Sequence, residues 1–284
     1  MMNRVTVRVP ASVSNLGPGF DCLGVALRLY NFITATRTAK HDALPAILDE
    51  TAKVFFRESR ARQFGFSLSV KENLPRARGL GSSATVRLGL LHALNRLSGD
   101  PLDRNALFRV CAQLEGHPDN AAPASFGGFT VARPDVVQRF DVSSRLKFVV
   151  VIPDHEVETR AARKILPNRI VRVKAVRSCG DACAITAAFV SKNYQMLEGM
   201  FRDELHQPFR AKLIPYLPRV INAAERGGAL GAFLSGSGSS IAALTLKSPQ
   251  AIARSMRNAV GKIASRTVIL SADNHGVEIT QHKL

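Results

Sequence analysis

Leu74-Pro-Arg-Ala-Arg-Gly-Leu-Gly-Ser-Ser-Ala84 is a Gly/Ser turn that runs straight into an amphipathic helical pattern. Gly79 and Gly81 let the backbone approach a ligand closely, and Ser82 and Ser83 set hydroxyls beside the amides that a helix's first turn leaves unpaired. Those amides, with the helix dipole behind them, favour an anion such as phosphate. The spacing is not that of a Walker loop, because no Gly-Lys-Ser/Thr follows, nor that of Gly-x-Gly-x-x-Gly after a strand. Taken alone, the same residues also describe an ordinary helix cap.

Two further segments bear on that choice. Pro10-Ala-Ser-Val-Ser-Asn-Leu-Gly-Pro-Gly-Phe-Asp-Cys-Leu-Gly24 follows a strand pattern at 5–9, and Leu234-Ser-Gly-Ser-Gly-Ser-Ser240 lies between two apolar runs. In this order the three segments resemble the three motifs of the GHMP small-molecule kinases. Within that family, Ser14-Asn-Leu-Gly-Pro-Gly-Phe-Asp21 and Glu115-Gly-His-Pro-Asp-Asn120 are similar to the homoserine kinases, and the likeness runs over nearly the whole chain.

The resemblance implies an α+β protein of two lobes: a left-handed βαβ lobe like that of certain ribosomal proteins over 1–152, and a ferredoxin-like lobe over 153–284. It implies ATP and Mg2+ as cofactors and L-homoserine as the small-molecule partner, phosphorylated on its side-chain hydroxyl for threonine synthesis. Pro75, Arg76, Ala77, Arg78, Gly79, Leu80, Gly81, Ser82, Ser83 and Ala84 would wrap the triphosphate. Magnesium takes hard oxygen ligands, one or two of them from protein, and the resemblance gives these as Glu115 and Ser82. Asp21 would meet the substrate ammonium, Arg163 and Arg210 its carboxylate, and Asn15, His117 and Asn120 the remaining polar contacts, with Asn120 nearest the hydroxyl. Ser82, Glu115 and Asn120 would be the catalytic set. No dedicated aspartate base is implied, and Asp21 is the alternative candidate for one; a loose phosphoryl-transfer transition state needs little help in removing the acceptor proton. The chain departs from the pattern at Lys40-His-Asp-Ala-Leu-Pro-Ala46, where these kinases carry an Asn-Leu-Val type segment; no Asn occurs between Asn31 and Asn73.

Length and composition set the bounds. The 284 residues, 46% hydrophobic and 21% charged, describe an ordinary soluble globular protein with room for a sizeable core. No apolar run reaches the ~20 residues of a membrane helix and the start lacks a signal-peptide pattern, so the expected location is the cytoplasm, with a homodimer allowed. Cys22, Cys111, Cys179 and Cys183 are too few for a disulfide scaffold and read as buried thiols. The formal net charge of +17 raises nucleic acid as a rival partner. Against it, the basic residues are scattered, clustering only at 57–62 and 160–174, with no Trp and no stacking platform. A solvated basic surface is the reading, with no specific nucleic acid bound. Two rival functions stay compatible with the motifs: a GHMP kinase acting on another small alcohol, and a regulatory or nucleic-acid-binding protein that keeps the scaffold without turnover.

Periodicity predicts strands at 5–9, 27–36, 64–70, 126–131 and 147–152 in the first half, with helices at 43–60, 82–97 and 103–115. The second half reads as helices at 159–165, 174–191, 195–206, 214–226 and 249–263, and strands at 230–235, 241–246, 266–271 and 276–280.

Overall fold

The structure, a computed structural model, describes residues 3–39 and 43–280. A long antiparallel pair, β1 (Arg4–Ser14) and β2 (Leu23–Thr38), crosses the first sheet. Next come α1 (Ala46–Ser59), β3 (Gly65–Lys71), α2 (Ser82–Leu97), α3 (Arg104–Glu115), α4 (Ala121–Phe126), β4 (Phe129–Ala132) and β5 (Val137–Phe140). The chain then runs through β6 (Lys147–Pro153), α5 (Thr159–Lys164), α6 (Arg172–Val190), a 3-10 turn (Tyr194–Leu197), α7 (Gln207–Arg210) and α8 (Leu217–Arg226). It closes with β7 (Gly231–Leu234), β8 (Ile241–Thr245), α9 (Pro249–Val260), β9 (Ser265–Leu270) and β10 (Glu278–Thr280). Among the described residues no helix is long and apolar enough to cross a membrane.

The strands form two sheets. One has the order β10-β1-β2-β4-β5 with β3 also on β2, and the other the order β7-β8-β6-β9. β6 was expected to complete the first half. It lies instead in the interior of the second sheet, between β8 and β9. The reason is in its sequence: Phe148 to Ile152 is an unbroken apolar run, buried on both faces. Phe148, Val150 and Ile152 enter one core, and Val149 and Val151 enter another. Residues 276–280 return the other way, β10 pairing with β1 through Thr6 and Thr280.

Three other expectations fail for local reasons. The strand predicted at 126–131 is split, because Ala121-Ala-Pro-Ala124 turns helical with its proline in the first turn, where no N–H is missed, and Gly127 and Gly128 at φ of 74° and 71° end that helix. The helix predicted at 195–206 stops after one 3-10 turn, where Glu198 turns extended and Gly199 takes a φ of 77°, and the Asp203 carboxylate then takes the backbone N–H groups of Leu205, His206 and Gln207 at the start of α7. Cys179 and Cys183 are exposed rather than buried, because α6 turns Ser178, Ile185, Ala188 and Phe189 inward and leaves both thiols on its outer side.

β1 serves two cores in succession. Val5, Val7 and Val9 pack under α1–α4, and after the register shift between Pro10 and Ala11, Ala11 and Val13 enter the core between the sheets. There Phe129 of β4 stacks on Phe189 of α6 at 4.3 Å. The even-numbered Ser12 and Ser14 point to the opposite side, fully buried, toward the start of α2 and the residues before α4.

Candidate active site

The Gly/Ser turn is fixed by contacts that only glycine permits. Gly79 and Gly81 sit at φ of 73° and 70°; a Cβ on Gly79 would lie 2.0 Å from the Ser235 carbonyl oxygen, and one on Gly81 would lie 2.3 Å from Ser12 Oγ. Ser235 Oγ donates to the Gly79 carbonyl at 2.6 Å and the Ser240 amide to the Arg78 carbonyl at 3.1 Å. The Gly236 amide donates to the Ser14 carbonyl, and Asn15 Nδ2 to the Gly236 carbonyl at 3.1 Å. The three separated motifs thus meet in one place. α2 starts at Ser82 with no side chain capping it, which leaves its first-turn amides to a ligand.

A cavity of about 240 Å3 opens beside the turn, lined by residues of all three motifs. Asn15, Asp21, Ser82, Glu115, His117, Asn120, Arg163 and Arg210, the residues singled out in the sequence as catalytic, metal-binding or substrate-binding, all line it. Of the ten turn residues, Ala77, Arg78, Gly79, Gly81, Ser82 and Ser83 do so. Arg76 lines the neighbouring cavity and pairs with Glu72. The other three do not face the ligand space: Leu80 and Ala84 are turned into apolar cores, and Pro75 lies on the far side of the turn. Arg78 is spent on the scaffold, with Nη2 2.7 Å from Asp154 Oδ1 and Nε donating to the Pro153 carbonyl.

Glu115, at the end of α3, reaches the start of α2. Its Oε1 accepts from Ser83 Oγ at 2.5 Å and from Arg87 Nε at 2.9 Å. Ser83 rather than Ser82 makes this bond. Among the described residues Glu115 Oε2 and Ser82 Oγ take none, so both are oxygen donors open to a divalent cation, which fits magnesium beside a phosphate cradle. His117 Nδ1 lies 2.7 Å from Asp119 Oδ1. Burial alone would lower the imidazole and raise the carboxyl, but the hydrogen bond and mutual charge win, so His117 is raised and Asp119 lowered. Asn120 accepts from Ser12 Oγ at 2.8 Å and donates to Ser14 Oγ at 3.0 Å. Its second amide hydrogen has only a long 3.5 Å contact to Asp119.

On the opposite wall Asp21, at φ 60°, is met end-on by Arg163, with Nη2 2.6 Å from Oδ1 and Nη1 3.0 Å from Oδ2. Arg210 is 2% exposed and has no carboxylate partner among the described residues. Its Nε donates to the Ala162 carbonyl and Nη1 to the Gly236 carbonyl and His206 Nδ1. Burial, and then the nearby Arg163, lower its guanidinium to about 10. Both arginines flank the Phe20 ring, which stacks on His206. Asn15 is engaged in the scaffold on both amide atoms, accepting from the Asp21 amide besides its bond to Gly236.

A second cavity, about 480 Å3, adjoins the first across Ala77, Ser82 and Ser83. Leu44, Ile47, Leu48, Leu68, Val70 and Val86 make it apolar, as the face of an adenine ring requires. Lys40, His41 and Asp42 of the segment that departs from the family pattern lie outside the described residues. Ala43, Leu44 and Pro45 line this cavity.

Sequence reading missed several residues of the site. Asn31, buried in β2, accepts from the Asn73 and Leu74 amides and donates to Thr85, pinning both ends of the turn. Arg87 is a charge set among the apolar residues of the first half of α2, four positions after Ser83, and that placement is its signal. Ser12 and Ser14 were visible as polar residues alternating with apolar ones in a strand. Asp119 and Phe20 lay inside the motifs without a role.

The sequence between 46 and 128 matches the family model described as GHMP kinases N terminal domain, and 185–262 matches GHMP kinases C terminal. A homoserine kinase of Caldicellulosiruptor bescii is 38% identical, with 97% of this chain and 96% of that protein covered. The chain belongs to the GHMP kinase family. Another relative of this GHMP kinase, a homoserine kinase of Aquifex aeolicus, is 32% identical over 97% of this chain and 99% of its own. Among solved structures, homoserine kinase from Cytophaga hutchinsonii superposes with a TM-score of 0.90 at 27% identity, covering 99% of this chain and 98% of the other. The GHMP kinase fold and its mixed α and β content are therefore as the motifs implied.

Proposed function

We propose that this GHMP kinase transfers the γ-phosphoryl group of ATP to the side-chain hydroxyl of L-homoserine, giving O-phospho-L-homoserine and ADP. The observation that carries the reading is the charge arrangement of the smaller cavity: Arg210, a buried guanidinium without a carboxylate partner among the described residues, beside the Asp21–Arg163 pair. Opposite charges at two points of a small pocket suit an amino-acid zwitterion rather than a sugar. Homoserine kinases that match almost end to end support the same substrate.

The nucleotide would place its adenine in the apolar cavity and its phosphates over the turn, against the first-turn amides of α2. Magnesium, held by Glu115 and the Ser82 hydroxyl, would supply charge neutralisation for the transferred group. The protein's own work is positioning and electrostatics. Arg210 grips the carboxylate, Asp21 meets the ammonium, and the weakly held second amide hydrogen of Asn120, a side chain locked by Ser12 and Ser14, orients the acceptor hydroxyl. Each carboxylate that lines the cavity is already engaged, Asp21 by Arg163 and the ammonium, Asp119 by His117 and Glu115 by the metal it would hold, so the acceptor proton leaves late, to the phosphoryl oxygens.

An ADP-release assay with L-homoserine, L-serine, L-threonine, mevalonate and galactose tests this. L-Homoserine is expected to give the highest kcat/KM, and turnover of another alcohol with homoserine inert overturns the assignment.

A further inference from the structure

The guanidinium of Arg87 is the least expected group near the site. It rises from an apolar stretch of α2, its side chain is 8% exposed, and it binds in three directions. Nε holds Glu115 Oε1 at 2.9 Å, Nη2 holds Glu50 Oε2 at 2.9 Å, and Nη1 donates to Thr51 Oγ1 at 2.9 Å and to the Ile47 carbonyl at 3.3 Å. Glu50, Thr51 and Ile47 all belong to α1, whose first residues wall the apolar cavity. Ser83, one turn before Arg87 on the same face of α2, donates to the same Glu115 oxygen.

We infer that Arg87 is a positioning residue for the phosphoryl-transfer site: it fixes the Glu115 carboxylate and ties it to α1, the wall of the nucleotide cleft. The inference rests on the reading of Glu115 as the metal-facing carboxylate.

The geometry supports it in two ways. With Oε1 engaged by two donors, rotation of the Glu115 carboxylate is restrained, and Oε2, which takes no hydrogen bond among the described residues, is left for a cation. Without Arg87, a single serine hydroxyl would hold a carboxylate that is free to swing. The planar fork also matters, because one guanidinium reaches two carboxylates, a hydroxyl and a carbonyl at once, whereas an ammonium of similar charge serves a point. Glu50 anchors the outer edge of the fork. The link also runs through the cleft wall: a base lying against Ile47 and Leu48 packs on the helix turn that Arg87 grips.

The test compares wild type, Arg87→Gln, Arg87→Lys, Glu50→Gln, Glu115→Gln and the Arg87→Gln/Glu115→Gln double variant. Each is titrated calorimetrically with a non-hydrolysable ATP analogue, with and without Mg2+ and with no acceptor present, and the gain in affinity from Mg2+ is read. Glu115→Gln is expected to lose most of that gain and about a hundredfold or more in kcat. Arg87→Gln should cut the gain about five- to tenfold and raise the Mg2+ concentration for half-maximal rate by a similar factor. The homoserine KM should stay unchanged. Arg87→Lys should restore only part. The double variant should be no worse than Glu115→Gln, since a residue acting through another adds nothing once its partner is gone. A merely structural arginine would lower Tm and leave the Mg2+ dependence alone, and that outcome, or additive losses in the double variant, overturns the inference. If Arg87→Gln does not fold, Glu50→Gln decides, because its side chain is half exposed: a Mg2+ gain reduced about two- to threefold supports the inference and an unchanged one overturns it. If Glu115→Gln itself keeps wild-type metal dependence, the metal reading fails, separately from the role of Arg87.

Discussion

Arg163 and Asp21 face each other in an end-on, two-bond pair at 2.6 and 3.0 Å, although they lie 142 positions apart in the chain. Each is about one-third exposed, so the pair adds little to stability, and its value lies in presetting two charges at the mouth of the acceptor pocket. A zwitterion entering there exchanges one internal ion pair for two external ones. Arg163→Lys should therefore leave Tm nearly unchanged and raise the homoserine KM. The expected loss is about ten- to a hundredfold in kcat/KM, with the ATP KM spared. Arg210→Lys should act in the same sense and also lower Tm, because Arg210 is buried and bonds two backbone carbonyls. Steady-state kinetics with each substrate varied in turn decide, and an effect falling on ATP would move both arginines to the nucleotide side.

Gly79→Ala should be among the most damaging single-methyl changes in the protein. Its φ of 73° disfavours a side chain, and the new Cβ would lie 2.0 Å from the Ser235 carbonyl oxygen, which is backbone and cannot swing away. Loss of measurable ATP-analogue binding is expected, with a fall in Tm. Wild-type binding in this variant would show that the turn and the C-terminal loop are not locked together.

Stability should fall on mild acidification. His92 is partly exposed, but its Nε2 is buried and has no partner among the described residues, and desolvation, then Arg104, lower it to about 4. His206 is lowered to about 4 by burial, with Arg210 adding to it, and its ring already accepts from Arg210 and donates to the Gly17 carbonyl. Both folded values lie below the unfolded value of about 6.5, so the unfolded chain binds more protons in between. Their contribution is complete above about pH 6.5 and is lost as pH falls toward 4, on the order of 2 kcal/mol per histidine by about pH 5. Melting curves from pH 7.5 to 5 should show this, with His92→Leu less sensitive than wild type. Equal slopes for the two proteins would rule His92 out.

The +17 charge predicts weak, salt-sensitive attraction to polyanions without sequence preference. Filter binding of duplex and single-stranded DNA should show affinity near 50 mM salt that is lost by ~0.2 M. Selective binding that survives there would require a nucleic-acid role.

The parts of the fold that were legible in the sequence are those governed by local rules. α2 spans the residues its periodicity predicted, and the helix predicted at 103–115 is α3, whose Asp103 caps it through the Ala106 amide. The membership of β6 in the second sheet was not legible, because a buried apolar run says that a strand is central without saying in which sheet. Of the site, the residues inside motifs could be named. The Asn31, Ser12 and Arg87 contacts could not, since each depends on a partner 28 to 108 positions away that only the folded chain brings near.

The hydrogen bonds joining Gly79, Ser14 and Asn15 to residues 235 and 236 bear on how the enzyme comes into being during synthesis. A ribosome-bound chain that has emerged only as far as β6 already contains the glycine turn, Glu115 and Asn120. It lacks the loop that presses on Gly79 and the carbonyl that Asn15 and Arg210 share. Nucleotide meeting such a nascent chain would find the apolar cavity of residues 43–86 but a turn without its closing loop, because residues 235–240 are still in the exit tunnel. Ligand rescue of a folding-defective variant should therefore be stronger for the finished polypeptide than for the half-made one, which depends more on its own apolar cores.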